Sequence, residues 1–253
     1  MGHWATPDQV WAVALVFVRV GGIVMQAPGL GETVVPARVR LTFALMLALV
    51  MTPVVADRLP ALPSTVGAMG GWVVRESLIG LMMGAILRML IGALAVAGEV
   101  ISIQTSLSFA QTANPMQAQP GTTVSAFLGL LGVTLVFATG LHQLFIAAIA
   151  NSYVLFAPSH APLLSDAVTL AVRTVGEAFA VGVQLSAPVL VFALVFNAAA
   201  GLVARVMPQF QVFFAATPLQ VLLGLSVFAL SLGVVGLVWI ERYRDLLALF
   251  VRS

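Results

Sequence analysis

Residues 206–240 read VMPQFQVFFAATPLQVLLGLSVFALSLGVVGLVWI, without a single Asp, Glu, Lys or Arg. Beyond Pro218 the apolar run exceeds the roughly 20 residues that a membrane-spanning helix needs, and the period-two alternation of a half-buried strand is missing from it. The same composition recurs upstream, where residues 100–165 and 178–204 also carry no charge. Over all 253 residues, 61% are hydrophobic and 8% charged, against roughly 45–50% and 25% in an average soluble domain. Nine acidic and eleven basic residues cannot solvate a chain of this size, so lipid or other protein must do so. A lipid-exposed sheet would have to close into a barrel, and the alternating segments of roughly ten residues that mark one do not occur. The fold class is therefore all-α: an integral membrane protein, with residues 1–253 read as a single domain.

Apolar runs and chain breakers predict helical segments at about 9–27, 40–56, 68–103, 123–156, 167–200 and 218–250, several of them broken or re-entrant. The second run, Leu41 to Ala56, would be about 24 Å long as a helix, short of a hydrocarbon core of roughly 30 Å. Ionisable residues interrupt other runs: Arg19 in the first, Arg75, Glu76, Arg88 and Glu99 in the third, Glu177 in the fifth. Each costs about 2.5–3.5 kcal/mol at a lipid-exposed helix centre, so these faces should meet protein or a water-filled path. A plain serpentine would place Arg58, Arg173, Arg242, Arg244 and Arg252 on one side and Arg38, Arg40 and Arg205 on the other. That split is too even to orient the chain.

The third run carries a ridge of small and charged residues at helical spacing: Gly80, Gly84, Arg88, Gly92, Ala95 and Glu99. Glycines on one face allow close backbone approach, and charges there find partners on a neighbour. Gly67 with Gly71 and Gly80 with Gly84 share the GxxxG spacing, which among 22 glycines carries no weight alone. Arg88 and Glu99 lie about three turns apart and cannot bridge directly, so each needs a partner elsewhere in the chain or in another subunit.

Candidate chemistry is sparse. His3, His142 and His160 form no metal-ligand spacing, and HExxH, P-loop and GxSxG motifs are absent, so no catalytic residue, metal or cofactor is expected. His142, inside an uncharged run, reads as a buried, hydrogen-bonded structural residue rather than a proton relay. Glu99 is open to two readings, a proton site or a helix-packing residue, and the ridge it closes favours packing. The net charge of +2 rests on singly scattered arginines without a phosphate-binding cluster, which argues against nucleic acid. With no cysteine there is no disulfide framework or thiol nucleophile. The start lacks the basic region of a cleaved signal peptide, so the first apolar segment should be retained, and the loose myristoylation spacing of Gly2 and Thr6 reads as coincidence.

The most informative segment runs from Gln104 to Gly121, within a stretch read as a loop at 103–123. It is polar but uncharged, sits between very apolar runs, and combines chain breakers with the soft, bulky Phe109 and Met116. Non-helical backbone at such depth is tolerated where it is buried in protein or lines an aqueous cavity. That describes a re-entrant or gating loop, in which Phe109, Thr112, Asn114, Pro115 and Met116 would seal a pore reversibly. An ordinary surface loop would more usually carry Lys, Asp or Glu.

Four groups of residues resemble one known family. Arg19 to Gly31 (RVGGIVMQAPGLG), with Val35, Pro36, Arg38 and Arg40, is similar to the opening of the FliR family, the R-type subunit of the flagellar type III secretion export gate. Ala97 to Gln104, Leu107 to Ala110 and Asn114-Pro115 resemble its central segment, and Gly140, His142, Ser152 and Pro158 its following helix. Asn197 to Gly201, Arg205 to Gln209, Val212-Phe213, Pro218-Leu219 and Leu223-Gly224 resemble its C-terminal signature. Asn114, Thr112 and Gln211 depart from the family's usual Asp, aromatic and Asn. The resemblance implies a non-catalytic structural part of a protein-conducting channel in the bacterial inner membrane and flagellar basal body. It would be assembled with P-type and Q-type subunits into a helical cone lifted largely out of the bilayer plane. B-type and A-type export proteins, unfolded secreted substrates and membrane lipid would be its other partners. The loop around Phe109 and Met116 would belong to the plug, and Arg205, Pro208 and Gln209 to a helix break used in subunit packing. The competing class is a secondary transporter with Arg88 and Glu99 as a buried substrate or ion site, for which no internal repeat speaks. A membrane enzyme is disfavoured by the lack of clustered acids, bases or ligands.

Overall fold

Thr6 opens the first helix with a reciprocal cap: its hydroxyl accepts the Gln9 N–H at 3.4 Å, and the Gln9 side chain accepts the Thr6 N–H at 3.2 Å. Pro7 follows at a position where its missing N–H leaves nothing unpaired. The computed structural model describes residues 6–32, 35–108, 121–156, 164–209 and 211–251. Among these the α-helices are α1 (Pro7–Val24), α2 (Ala37–Val55), α3 (Val66–Gln104), α4 (Thr123–Ala138), α5 (Leu141–Leu155), α6 (Leu164–Val206) and α7 (Val212–Val251), with a short 3-10 turn at Ala56–Arg58 and no strand.

Each predicted segment has its helix, and the differences have physical causes. The fourth run, expected as one helix over 123–156, is a pair bent by 78° between α4 and α5. Gly140 sits at the bend in the left-handed region at φ 73°, a conformation that a side chain would disfavour. α7 begins at Val212, so Pro218 lies inside the helix and does not delay its start. α2 is longer than its apolar run because it takes in Ala37 to Arg40. At 19 residues it reaches about 28 Å, and with the following turn, Ala37–Arg58, it is long and apolar enough to cross a membrane, which corrects the expectation of a run too short to span. Among the described residues five helices meet that test, or six spans if the bent pair counts as one. α3, α6 and α7 hold 39, 43 and 40 residues. As straight helices they would measure about 58–65 Å, roughly twice the hydrocarbon thickness.

The chain divides into two compact units. The first comprises residues 1–90, 137–175 and 243–253. In it α1 packs on α2, and α2 touches α5. α1 and α3 meet through glycine: a Cβ on Gly80 would collide with the Arg19 carbonyl, and one on Gly84 would lie 3.1 Å from the Gly22 oxygen. A tight turn ends α1, with Gly29 left-handed at φ 79° and the Gly31 N–H bonded to the Ala27 carbonyl at 2.7 Å.

The second unit comprises residues 91–136 and 176–242. Its helices meet at glycines too. Gly98 of α3 lies directly on the Ser125 backbone of α4, and a Cβ on Gly182 of α6 would come within 2.8 Å of the Ala93 carbonyl. Gly132 of α4 faces Leu94 and the Trp239 ring, and Gly224 of α7 faces Thr105 and Phe192. Phe127 and Phe228 meet edge to face at 6.4 Å, an arrangement favoured by the ring quadrupoles. Away from these contacts large apolar side chains point outward: Leu230 is 87% exposed, Phe214 80% and Leu194 73% in this single chain.

Candidate functional site

Two polar constructions stand out within the otherwise apolar core. The first is centred on Arg19, fully buried in α1. Its Nε and Nη2 donate to both oxygens of the equally buried Glu76 on α3, at 2.5 and 2.9 Å. Nη1 donates to the Ser152 carbonyl at 3.0 Å and its hydroxyl at 3.2 Å, and Nη2 to the Phe156 carbonyl at 3.3 Å. The Tyr153 ring lies 3.9 Å from the guanidinium carbon, a cation–π contact. Five donors thus meet five acceptors, which is what a buried guanidinium requires. Ser152 and Phe156 are at the end of α5, so Arg19 also supplies the cation that a helix C-terminus attracts.

The second construction holds the two ends of the predicted gating loop, in the second unit. α3 stops at Gln104, and Ser106 just beyond it is left-handed at φ 59°, a backbone that breaks the helix. The Gln104 carbonyl accepts Nε2 of Gln220 on α7 at 2.8 Å. At the other end Gly121, at φ 97°, turns the chain into α4. There the Glu99 carboxylate accepts the Thr122 N–H at 2.8 Å, the Thr122 hydroxyl donates to the Gly98 carbonyl at 3.4 Å, and the Ser125 N–H donates to the Thr122 hydroxyl at 3.2 Å. A carboxylate borrowed from α3 therefore supports the N-terminus of α4, where negative charge is favoured. Beside the Gln104 anchor runs a groove lined by Gln104, Leu190, Val191, Leu194 and Asn197.

Phe109, Thr112, Asn114, Pro115 and Met116, the predicted seal, lie outside the described residues. Gly80 and Gly84 are buried between α3 and α1, so these two make a contact within the chain. Gly92 has open space where a Cβ would be, and Gly98, absent from the predicted ridge, carries a backbone contact as tight as that of Gly80. Gly67 and Gly71, with the same GxxxG spacing as Gly80 and Gly84, also face open space. Arg88, expected as a buried charge, is exposed in this chain and, among the described residues, reaches only the Gly31 carbonyl, at 3.5 Å. Arg205, in the last turn of α6, and Pro208 and Gln209 after it are exposed as well. The ridge slants because three- and four-residue steps do not match the helical repeat, so it leaves the α1 contact before Arg88. His142 stacks on Phe137 at 5.7 Å, and its buried Nδ1 has no hydrogen-bond partner among the described residues. Sequence reasoning placed Arg19 and Glu76 inside apolar runs without joining them, and the one signal available was that each needed an opposite charge. Among the described residues no cluster of three or more His, Asp or Glu is suited to a metal ion.

The family model described as bacterial export proteins, family 1, matches residues 10–246. The chain is 54% identical over 250 residues to the flagellar biosynthetic protein FliR of Caulobacter vibrioides, covering 99% of this chain and all of that one. It is 28% identical to the protein of the same name from Bacillus subtilis, over 94% of this chain and 95% of the relative, and 28% identical to that of Escherichia coli, over 84% and 80%. With matches running from α1 through α7, the chain is a helical membrane protein that belongs to the bacterial export protein family of flagellar biosynthesis, the FliR family.

Proposed function

We infer that this chain is the R-type structural and gating subunit of the flagellar type III export gate, in the bacterial inner membrane at the flagellar basal body. It acts as a single functional module of residues 1–253, needed for flagellum assembly and without catalytic activity. Its partners are P-type and Q-type gate subunits, B-type and A-type export proteins, unfolded secreted substrates and lipid, and it binds no nucleic acid. The observation that carries this reading is the end-to-end match to flagellar export relatives. Two physical features support it. α3, α6 and α7 are about twice as long as a bilayer crossing requires, which suits helices extending beyond the hydrocarbon core. Their outward apolar side chains need a cover of lipid or neighbouring subunits.

Within that assembly the loop carrying Phe109, Thr112, Asn114, Pro115 and Met116 acts as a plug that keeps the closed pore tight to ions and moves aside for substrate. The anchors described above support this role: one end of the loop is tied to α7 through Gln220, the other to α3 through Glu99. Gly80 and Gly84 set the packing of α3 on α1 and Glu99 holds the start of α4, and Arg205, Pro208 and Gln209 face neighbouring subunits. A transporter built on a buried Arg88 and Glu99 is not favoured, because Glu99 is engaged by the Thr122 backbone and Arg88 is exposed in this chain. Deleting residues 109–116 should leave the assembled complex intact and make membranes leaky to small ions. Unchanged conductance in an assembled deletion mutant would remove the gating role from this loop.

A further inference from the structure

An outward row on α3, bordering its contact with α1, repeats at alternating steps of three and four residues: Gly71, Val74, Leu78, Leu81, Ala85 and Arg88. Val74, Leu78 and Leu81 are 59%, 55% and 47% exposed. Arg88 is exposed too, and Gly71 has open space at its Cβ position. The opposite face, with Glu76, Ile79, Met83, Ile86 and Leu87, is buried. A period of 3.5 residues is the spacing that lets one helix pack along another by knobs into holes over several turns. Lipid tails would accept the valine and leucines but not the guanidinium at the end of the row. That guanidinium has only the long Gly31 contact among the described residues, so it retains donors for a further partner.

We propose that this seam docks an apolar helix of another chain in the same membrane complex, and that the helix presents a carboxylate to Arg88. The proposal rests on the assignment to a multi-subunit gate and adds the surface and its chemistry. Leu78 and Leu81 supply the apolar contact, and Gly71 lets the two backbones come close at the other end of the row. Arg88 fixes the register, because an apolar row by itself tolerates sliding by a heptad whereas one buried charge pair does not.

The chain has no cysteine, so single-cysteine variants Val74→Cys, Leu78→Cys and Leu81→Cys can be spin-labelled without background. In the membrane complex the labels should be shielded from lipid-dissolved oxygen, and in the isolated chain they should be accessible. Arg88→Glu should lower recovery of the complex about tenfold or more, Arg88→Lys should lower it less, and a carboxylate-to-lysine change on the docked helix should restore the Glu variant. Labels that stay accessible to lipid in the intact complex would overturn the proposal and leave Arg88 as a lipid-phosphate contact. Shielded labels with unaltered recovery of Arg88→Glu would overturn the charge pairing and with it the proposal. A chain that joins no export complex even as wild type would count against the assigned function, which separates the two failures.

Discussion

Both units join helices at glycines, Gly80 and Gly84 in the first as well as those of the second, but the first adds a buried ion pair to that packing. The first surrounds a fully buried ion pair, Arg19 with Glu76, with three further acceptors and an aromatic face. The second joins its helices by removing side chains, at Gly98, Gly132, Gly182 and Gly224. Glycine contacts gain dispersion from close backbones and have no charge to desolvate. The ion pair brings a large desolvation cost, which only complete pairing offsets. The first arrangement is therefore directional and depends on every partner, whereas the second depends on volume alone.

Breaking the hub should have the largest effect. Arg19→Met or Glu76→Leu alone should destabilise the chain by about 3–5 kcal/mol, because each strands a buried charge. The double variant should recover much of that loss, measured as thermal unfolding in detergent. Equal damage from the double and single variants would show that the hub contributes attraction beyond mutual neutralisation. Overfilling a glycine contact comes next. Gly98→Val should cost about 1–3 kcal/mol or more, since its Cβ would meet the Ser125 backbone, which cannot rotate away. Gly129→Ala, on the open side of α4, should instead stabilise by up to about 1 kcal/mol through helix propensity, and a similar loss at both positions would contradict the volume argument.

The smaller effects concern the loop anchors, which combine a glycine contact with a carboxylate. Glu99→Ala removes the acceptor of the Thr122 N–H and should cost about 0.5–2 kcal/mol, whereas Glu99→Gln keeps an acceptor and should lose less. Export measured across pH sharpens this: a packing role leaves the pH dependence of the Gln variant unchanged, and a flattened profile would reassign Glu99 to proton transfer.

Much of the fold was legible because helix formation in an apolar setting is local. A long apolar run must satisfy its own backbone hydrogen bonds even where single charges interrupt it, so residues 68–103 predicted α3 to within two residues at its start and one at its end. Ends were less legible where a proline stood nearby. Pro218 reads as a breaker but sits within α7, where its missing N–H affects only the turn before it. The loop segment stood out by composition, yet its anchors did not. Glu99 and Thr122 are separated by 23 positions and Gln104 and Gln220 by 116, and nothing in either neighbourhood specifies the partner.

The sequence by itself determined an all-helical membrane protein of the flagellar export family, with its apolar segments and its uncharged loop, because composition, periodicity and breakers act over a few turns. The tertiary structure alone decided which charges are paired, which glycines are contacts and which face of α3 is left open. Gly80 and Gly71 share the same GxxxG spacing, and only the presence of α1 makes one a contact and the other a free surface. Arg19 and Arg88 lie alike inside apolar runs, and only the chain fold brings a carboxylate to the first and leaves the second facing outward. Pairing between distant segments depends on the direction each helix face takes in space, and no local pattern encodes that direction.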